Sequence, residues 1–160
     1  MDYQSQVPIT MAANKAGLAA GTTTTLTSAN QVDYSIKGKA YRKAAATNEA
    51  TPTTDANSGS TFTAVGVSKG SVFTICRDSS GNLKVVQGTI VDLDSSGAFI
   101  QAPQFGPVPD TLCPYGYIVV KVGSTGSAWT FGASNLAGPP TGVTFAFVDC
   151  FTLPDRPQVS

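Results

Sequence analysis

The sequence predicts an all-β fold, an antiparallel β-sandwich or a small barrel, with an extended N-terminal arm. Two observations carry this expectation. Short runs of β-branched and aromatic residues recur between clusters of Gly, Pro, Asn and Ser, and a single segment has the composition of a helix. Greek-key and jelly-roll connections both suit the pattern, and the sequence does not choose between them.

The first element is the arm, residues 1–31, followed by a β domain over 32–160. Ala19-Ala20-Gly21 and the threonine run from Thr22 to Thr25 leave the arm few large apolar side chains to anchor it. Such a segment orders on a neighbouring subunit or forms an edge of its own domain. On the first reading, deleting residues 2–30 leaves a folded domain that no longer binds its partner.

Alternation begins at Val32, where Val32, Tyr34 and Ile36 fall on one face and Asp33, Ser35 and Lys37 on the other. Gly38 permits a turn, and Ala40 to Ala46 has the propensities of a short helix. Residues 47–60, rich in Thr, Asn, Pro and Gly, read as a loop. Ser71–Arg77 and Leu83–Gln87 then form a hairpin around Asp78-Ser79-Ser80-Gly81-Asn82, with Gly81 suited to positive φ. The device repeats: Thr-Ile followed by Asp-Ser-Ser-Gly occurs from Thr74 and again from Thr89, with one extra residue before the second turn. A three-strand meander is expected from it.

Pro103, Pro107, Pro109 and Pro114 break the chain into an irregular crossing, because each removes a backbone donor. Strands are expected to resume over Tyr115–Val122, at Ala128–Phe131 and over Val143–Phe151. The last places Val143, Phe145, Phe147 and Phe151 on one face, expected in the core, where each buried ring contributes ~1.5–3 kcal/mol.

Composition narrows the function. Ten basic and ten acidic residues leave a formal net charge of zero, so no long-range field draws the chain to nucleic acid or to anionic lipid. Only 12% of residues are charged, against about 25% in an average domain, so the surface is neutral and rich in hydroxyls. Weak colloidal repulsion of this kind suits a protein packed against others. No run approaches a membrane span, and the first residues carry neither a basic nor an apolar leader segment. Synthesis in a reducing cytoplasm is the expectation. Cys76, Cys113 and Cys150, an odd set without zinc-type spacing, read as free thiols, the first and last within apolar runs.

The chain contains no histidine, which removes the commonest general base and the Ser-His and Cys-His pairs. Asp92 and Asp94 are the nearest carboxylate pair, but neighbours two apart on one strand do not make a glycosidase dyad. Asp92-Leu93-Asp94-Ser95-Ser96-Gly97 matches the first half of a calcium loop, yet Pro103 stands where the closing Glu belongs. A hairpin turn accounts for those residues. No phosphate-cradling glycine motif is present, so no enzyme activity, cofactor or metal is expected. The basic cluster Lys37, Lys39, Arg42 and Lys43, beside Tyr34 and Tyr41, reads as a solvated face or as a site for an acidic patch on a protein partner.

Tyr34 to Ala45, the hairpin ending Val86-Gln87-Gly88, the proline-rich crossing before Gly116 and the closing Leu153-Pro154-Asp155-Arg156-Pro157 together resemble small virion structural proteins of tailed bacteriophages. Within that group the chain is most similar to capsid decoration or cement proteins. The resemblance implies a β-rich body present in many copies on the capsid surface, oligomeric as a dimer or trimer, that clamps neighbouring major capsid protein subunits. It transfers no functional residues, and the zero net charge and the lack of a long apolar run give the expectation of no nucleic-acid and no membrane partner. The arm is the first candidate for the clamp and the basic cluster the second. A tail, neck or fibre-associated component of the virion is the related alternative. A glycan-binding β-sandwich module, stacking sugars on Trp129, Tyr115 and Tyr117, is the alternative of a different class.

Overall fold

The computed structural model describes residues 9–159, and within them the chain is all-β, with no helix and no closed barrel. Its strands are β1 (Met11–Ala12), β2 (Leu18–Ala20), β3 (Thr25–Ser28), β4 (Val32–Ile36), β5 (Lys39–Lys43), β6 (Ala46–Ala50), β7 (Lys69–Arg77), β8 (Leu83–Gln87), β9 (Val91–Asp92), β10 (Cys113–Val122) and β11 (Val143–Asp149). They make three antiparallel sheets among the described residues: β1-β4-β5, β2-β3-β6 and the five-stranded β11-β10-β7-β8 with β9 also on β7.

The five-stranded sheet is apolar on both faces because β7 and β10 carry near-continuous hydrophobic runs. Pairing Phe73 with Ile118 and Val72 with Val119 puts them on opposite faces. On the front, Phe73, Ile75, Ile118, Val120 and Val122 meet Phe62, Val65, Trp129, Phe131 and the inner residues of the two small sheets in the main core. On the back, Val72, Tyr117 and Val119 are covered by Phe99, by Phe105 of the proline-rich crossing and by Cys150, Leu153 and Val159 of the closing segment. The crossing is a lid in place of a strand, as prolines require.

The small sheets sit close because one position of β10 has no side chain. A Cβ on Gly116 would stand 2.2 Å from Leu18 Cδ1 of β2 and 2.8 Å from the Val148 carbonyl oxygen. Glycine there lets β2 pack directly on the sheet, where the Leu18 amide also donates to Asp149 at 3.3 Å.

The central hairpin is as expected, with Gly81 at φ +79° in its turn. Five expectations change. The segment predicted as a helix, Ala40–Ala46, contains most of β5, because β4 and β5 close a hairpin through Lys37-Gly38 and stack Tyr41 on Tyr34 at 5.6 Å. Cross-strand packing outweighs the weak helix propensity of so short a run. The first residues of the expected 47–60 loop belong to β6, which pairs with β3. No meander forms: β8 and β9 lie on the same side of β7, with the register shifted by one residue between them, so the second hairpin is reduced to a Leu93–Phe99 bridge. Trp129 makes an isolated bridge to Val65 rather than a strand, although its ring is fully buried as a core residue. The last strand stops at Asp149, which leaves Phe151 beyond it and 46% exposed, and Phe145 and Phe147 are half-buried because β11 is an edge strand and not a central one.

Of the expected arm, residues 1–8 lie outside the described residues. Residues 9–31 carry β1, β2 and β3, joined by turns, and pair within the body: Met11 with Ser35, Ala12 with Tyr34, and Leu26 with Glu49. Ala12, Ala16, Leu18 and Leu26 belong to the main core, so no break in packing marks residue 31. Small side chains had suggested loose anchoring, yet small residues are what close approach between sheets requires.

Candidate functional site

The β4–β5 hairpin presents all four cations singled out in the sequence. Its turn is two residues long, with Lys37 at φ +50° and Gly38 at φ +81°, the primed geometry that matches strand twist. The turn is pinned from outside: the Lys37 amide donates to Thr10 Oγ1 at 3.0 Å and the Gly38 amide to the Ile9 carbonyl at 3.0 Å.

Strand alternation separates the four cations. Lys39 and Lys43 lie on the Tyr41 side of β5, and the Lys39 ammonium stands 5.6 Å from the Tyr41 ring centroid. Arg42 falls on the opposite side with Ala40. There it lines an open recess of about 690 Å³ over β1, β4 and β5, bordered by Met11, Ala13, Asp33 and Ser35. Three of the four meet carboxylates: Lys37 Nζ is 2.6 Å from Asp110, Arg42 Nε donates to Asp33 at 2.6 Å, and Lys43 Nζ is 3.9 Å from Glu49. The Arg42 hydrogen bond is the main cause holding the Asp33 carboxyl below its ordinary value, while Asp33 in turn raises Arg42. The pairs at Asp110 and Asp33 are exposed, individually weak and screened by salt, while the Lys43 contact to Glu49 is partly enclosed and longer. Lys39 keeps its charge toward solvent.

The remaining candidates resolve as structure. Asp92 pairs with Lys69 at 2.5 Å. Asp94 closes its own turn, accepting from the Ser96 amide at 2.8 Å, the Ser96 hydroxyl at 2.6 Å and the Ala98 amide at 2.9 Å. Those bonds, the Ser96 hydroxyl first, draw its carboxyl below the ordinary value. Among the described residues no three His, Cys, Asp or Glu side chains gather as a metal-binding group. Trp129, Tyr115 and Tyr117 are buried, so none offers a face for a sugar to stack upon. The three cysteines are free, Cys76 and Cys113 buried and Cys150 partly so.

The sequence reading missed the charge pair beneath the hairpin. Arg77, fully buried at the end of β7, is bonded to Glu49 of β6, the residue that also faces Lys43. Its signal was present in two facts: an arginine closes an otherwise apolar run, and the chain contains a single glutamate. Alternation alone does not connect them, because their strands belong to different sheets.

No protein-family model matches the chain, and neither a curated protein nor a solved structure matches it.

Proposed function

We propose that this chain is a structural virion protein of a tailed bacteriophage that binds the outside of the capsid and stabilises contacts between major capsid protein subunits. The observation that carries the reading is the β4–β5 hairpin, largely exposed along β5 and bearing four of the chain's ten cations, Lys37, Lys39, Arg42 and Lys43, within seven residues. With residues 9–31 built into the core, the hairpin replaces the arm as the first candidate for the contact. Local carboxylates offset most of its charge, which suits a protein surface of mixed charge better than a polyanion such as nucleic acid. Single contacts of this kind are weak. Repetition over a capsid lattice and within a homo-oligomer raises their combined strength.

A tail, neck or fibre-associated position in the virion uses the same surface and is the second reading. The glycan-binding alternative loses its three stacking rings to the interior. The test is to add the purified chain to capsids that lack it and measure occupancy by electron microscopy. Wild-type protein is expected to bind at symmetry-related positions, and Lys39→Glu combined with Lys37→Glu is expected to reduce occupancy. Absence of wild-type binding, with labelling of tails instead, selects the second reading. Binding to neither rejects the virion role.

A further inference from the structure

The two outer edges of the five-stranded sheet are treated differently by the chain. At the β8 edge, the preceding loop supplies partners: the Ala56 amide donates to the Val85 carbonyl at 2.8 Å, the Gln87 amide to Asp55 Oδ1 at 3.4 Å, and the Thr63 amide to Gln87 Oε1 at 2.8 Å. At the β11 edge, among the described residues, the comparable bond is confined to the last residue, where the Leu18 amide donates to Asp149 Oδ1 at 3.3 Å. The Gly123 amide donates to the Gly142 carbonyl and the Cys150 amide to the Tyr115 carbonyl, which fixes the alternation along β11. Thr144, Ala146 and Val148 turn their backbone groups toward β10, and Phe145 and Phe147 turn theirs outward. Among the described residues, those outward groups have no backbone partner.

Edge strands are normally protected by lysine, proline or a bulge. β5, the edge of its own sheet, follows this rule with Lys39, Arg42 and Lys43. β11 reads Val-Thr-Phe-Ala-Phe-Val-Asp, without a charge before Asp149, and its pairing with β10 shows no register shift. Pairing β5 with itself brings like charges together, which is destabilising. Pairing β11 with itself does not.

We propose that β11 pairs antiparallel with β11 of a second copy across a two-fold axis, joining two five-stranded sheets into one. The outward backbone groups fix which residues can exchange hydrogen bonds, and centring the seven-residue strand on the axis selects the register. Phe145 of one copy exchanges hydrogen bonds with Phe147 of the other, and Ala146 faces Ala146 on the axis. In that register Asp149 falls opposite Val143, so no charges of one sign meet. Both Phe145 rings and both Phe147 rings line one face of the junction, where their half-exposed area is covered. Thr144 and Ala146, exposed in the single chain, lie on the other face. This pairing stands apart from any capsid role and fails or survives independently of it.

The test uses the full chain in sedimentation velocity over a range of concentrations, with Ala146→Lys, Ala146→Glu and an equimolar mixture of the two. The wild type is expected to show a two-chain species, each variant alone to lose it, and the mixture to recover it, because opposite charges then meet on the axis. The Ala146 side chain is exposed, so both variants should keep a cooperative thermal transition. Should Ala146→Lys fail to fold, Thr144→Lys, also exposed, replaces it and is expected to lose the two-chain species, because its ammonium would stand against the apolar Val148 of the second copy. Amide exchange at Phe145 and Phe147 is expected to slow in the two-chain species. A wild type that stays single at its highest soluble concentration overturns the proposal. So does a two-chain species that survives Ala146→Lys, or a mixture that remains single.

Discussion

Arg77, wholly buried at the end of β7, donates Nη1 to Glu49 Oε1 and Nη2 to Glu49 Oε2, each at 2.6 Å, and so bolts the five-stranded sheet to β6. Nη1 also reaches the Gly81 carbonyl at 3.2 Å, and the guanidinium carbon lies 5.3 Å from the Tyr115 ring centroid. Burial opposes the arginine's charge, but the bonds to Glu49 outweigh it and the group is held more firmly protonated than usual.

Removing the carboxylate leaves that guanidinium buried without a counter-charge. Glu49→Ala is expected to lose about 3 kcal/mol, the low end of the range for broken buried pairs because Glu49 itself is partly exposed. The double variant Glu49→Leu with Arg77→Leu is expected to lose less than Glu49→Ala alone, since no uncompensated charge then remains. Urea unfolding of the three proteins decides it. A loss under about 1 kcal/mol for Glu49→Ala would mean that the bidentate pair contributes no more than a surface bridge.

Leu26 of β3 is 1% exposed in the main core, although it lies in the segment whose composition suggests an arm. Leu26→Ala is expected to cost ~2–5 kcal/mol, the range for a buried leucine that leaves a cavity. Deleting residues 2–30 removes β1, β2 and β3 together with Ala12, Ala16 and Leu18. The truncated chain is expected to lose cooperative thermal unfolding by circular dichroism. A sharp transition in that protein would show that the rest of the core closes without them.

The same residues mark where the fold was legible. Ser71–Arg77 and Leu83–Gln87 announced themselves because β-branched runs flank an Asp-Ser-Ser-Gly turn, and both the chemistry and the pairing are local. Leu18 and Leu26 did not, because their partners are distant: Leu18 rests against Gly116, and Leu26 pairs with Glu49. The basic cluster was visible as four cations in seven residues, but its neutralisation by Asp33, Glu49 and Asp110 depends on tertiary placement. Arg77 and Glu49 were each conspicuous in the sequence, and only the packing of one sheet on another unites them.

The three thiols should be unreactive in the folded chain. Burial first, then the nearby Cys150, pushes Cys113 up to about 12, and burial with Asp149 beside it pushes Cys150 up to about 11, from an ordinary value of 9.0. At pH 8 a disulfide reagent is expected to titrate Cys113 and Cys150 slowly in native protein and rapidly in urea. A group raised in the folded state contributes stability that is fully present below its unfolded value and lost as pH rises through the folded one. Stability is therefore expected to decline between about pH 9 and pH 12. Cys113→Ser and Cys150→Ser should flatten that decline. Rapid native labelling of Cys113 at pH 8 would contradict its enclosure.

Acid should act at the turn that joins β7 to β8. Burial alone would raise the Asp78 carboxyl, but bonds from the Asn82 side chain, the Asn82 amide and the Ser80 amide outweigh it and hold the group below its ordinary 3.8. The distances are 3.0, 2.9 and 2.9 Å, and the Asp78 carbonyl also accepts from Tyr34 Oη at 2.7 Å, so this turn ties the hairpin to β4. A carboxyl lowered on folding contributes stability above its unfolded value and loses it as pH falls through the folded one. The thermal midpoint is therefore expected to drop below about pH 4, with Asp94 and Asp33 shifting the same way. Asp78→Asn keeps one acceptor but sets an amide donor against the Asn82 side chain. It is expected to cost about 1 kcal/mol at pH 7 and to make the acid-side fall in midpoint shallower. Midpoints measured from pH 2.5 to 7 separate the outcomes: an unchanged acid slope in Asp78→Asn would remove this turn from the account of acid unfolding and leave Asp33 and Asp94 to carry it.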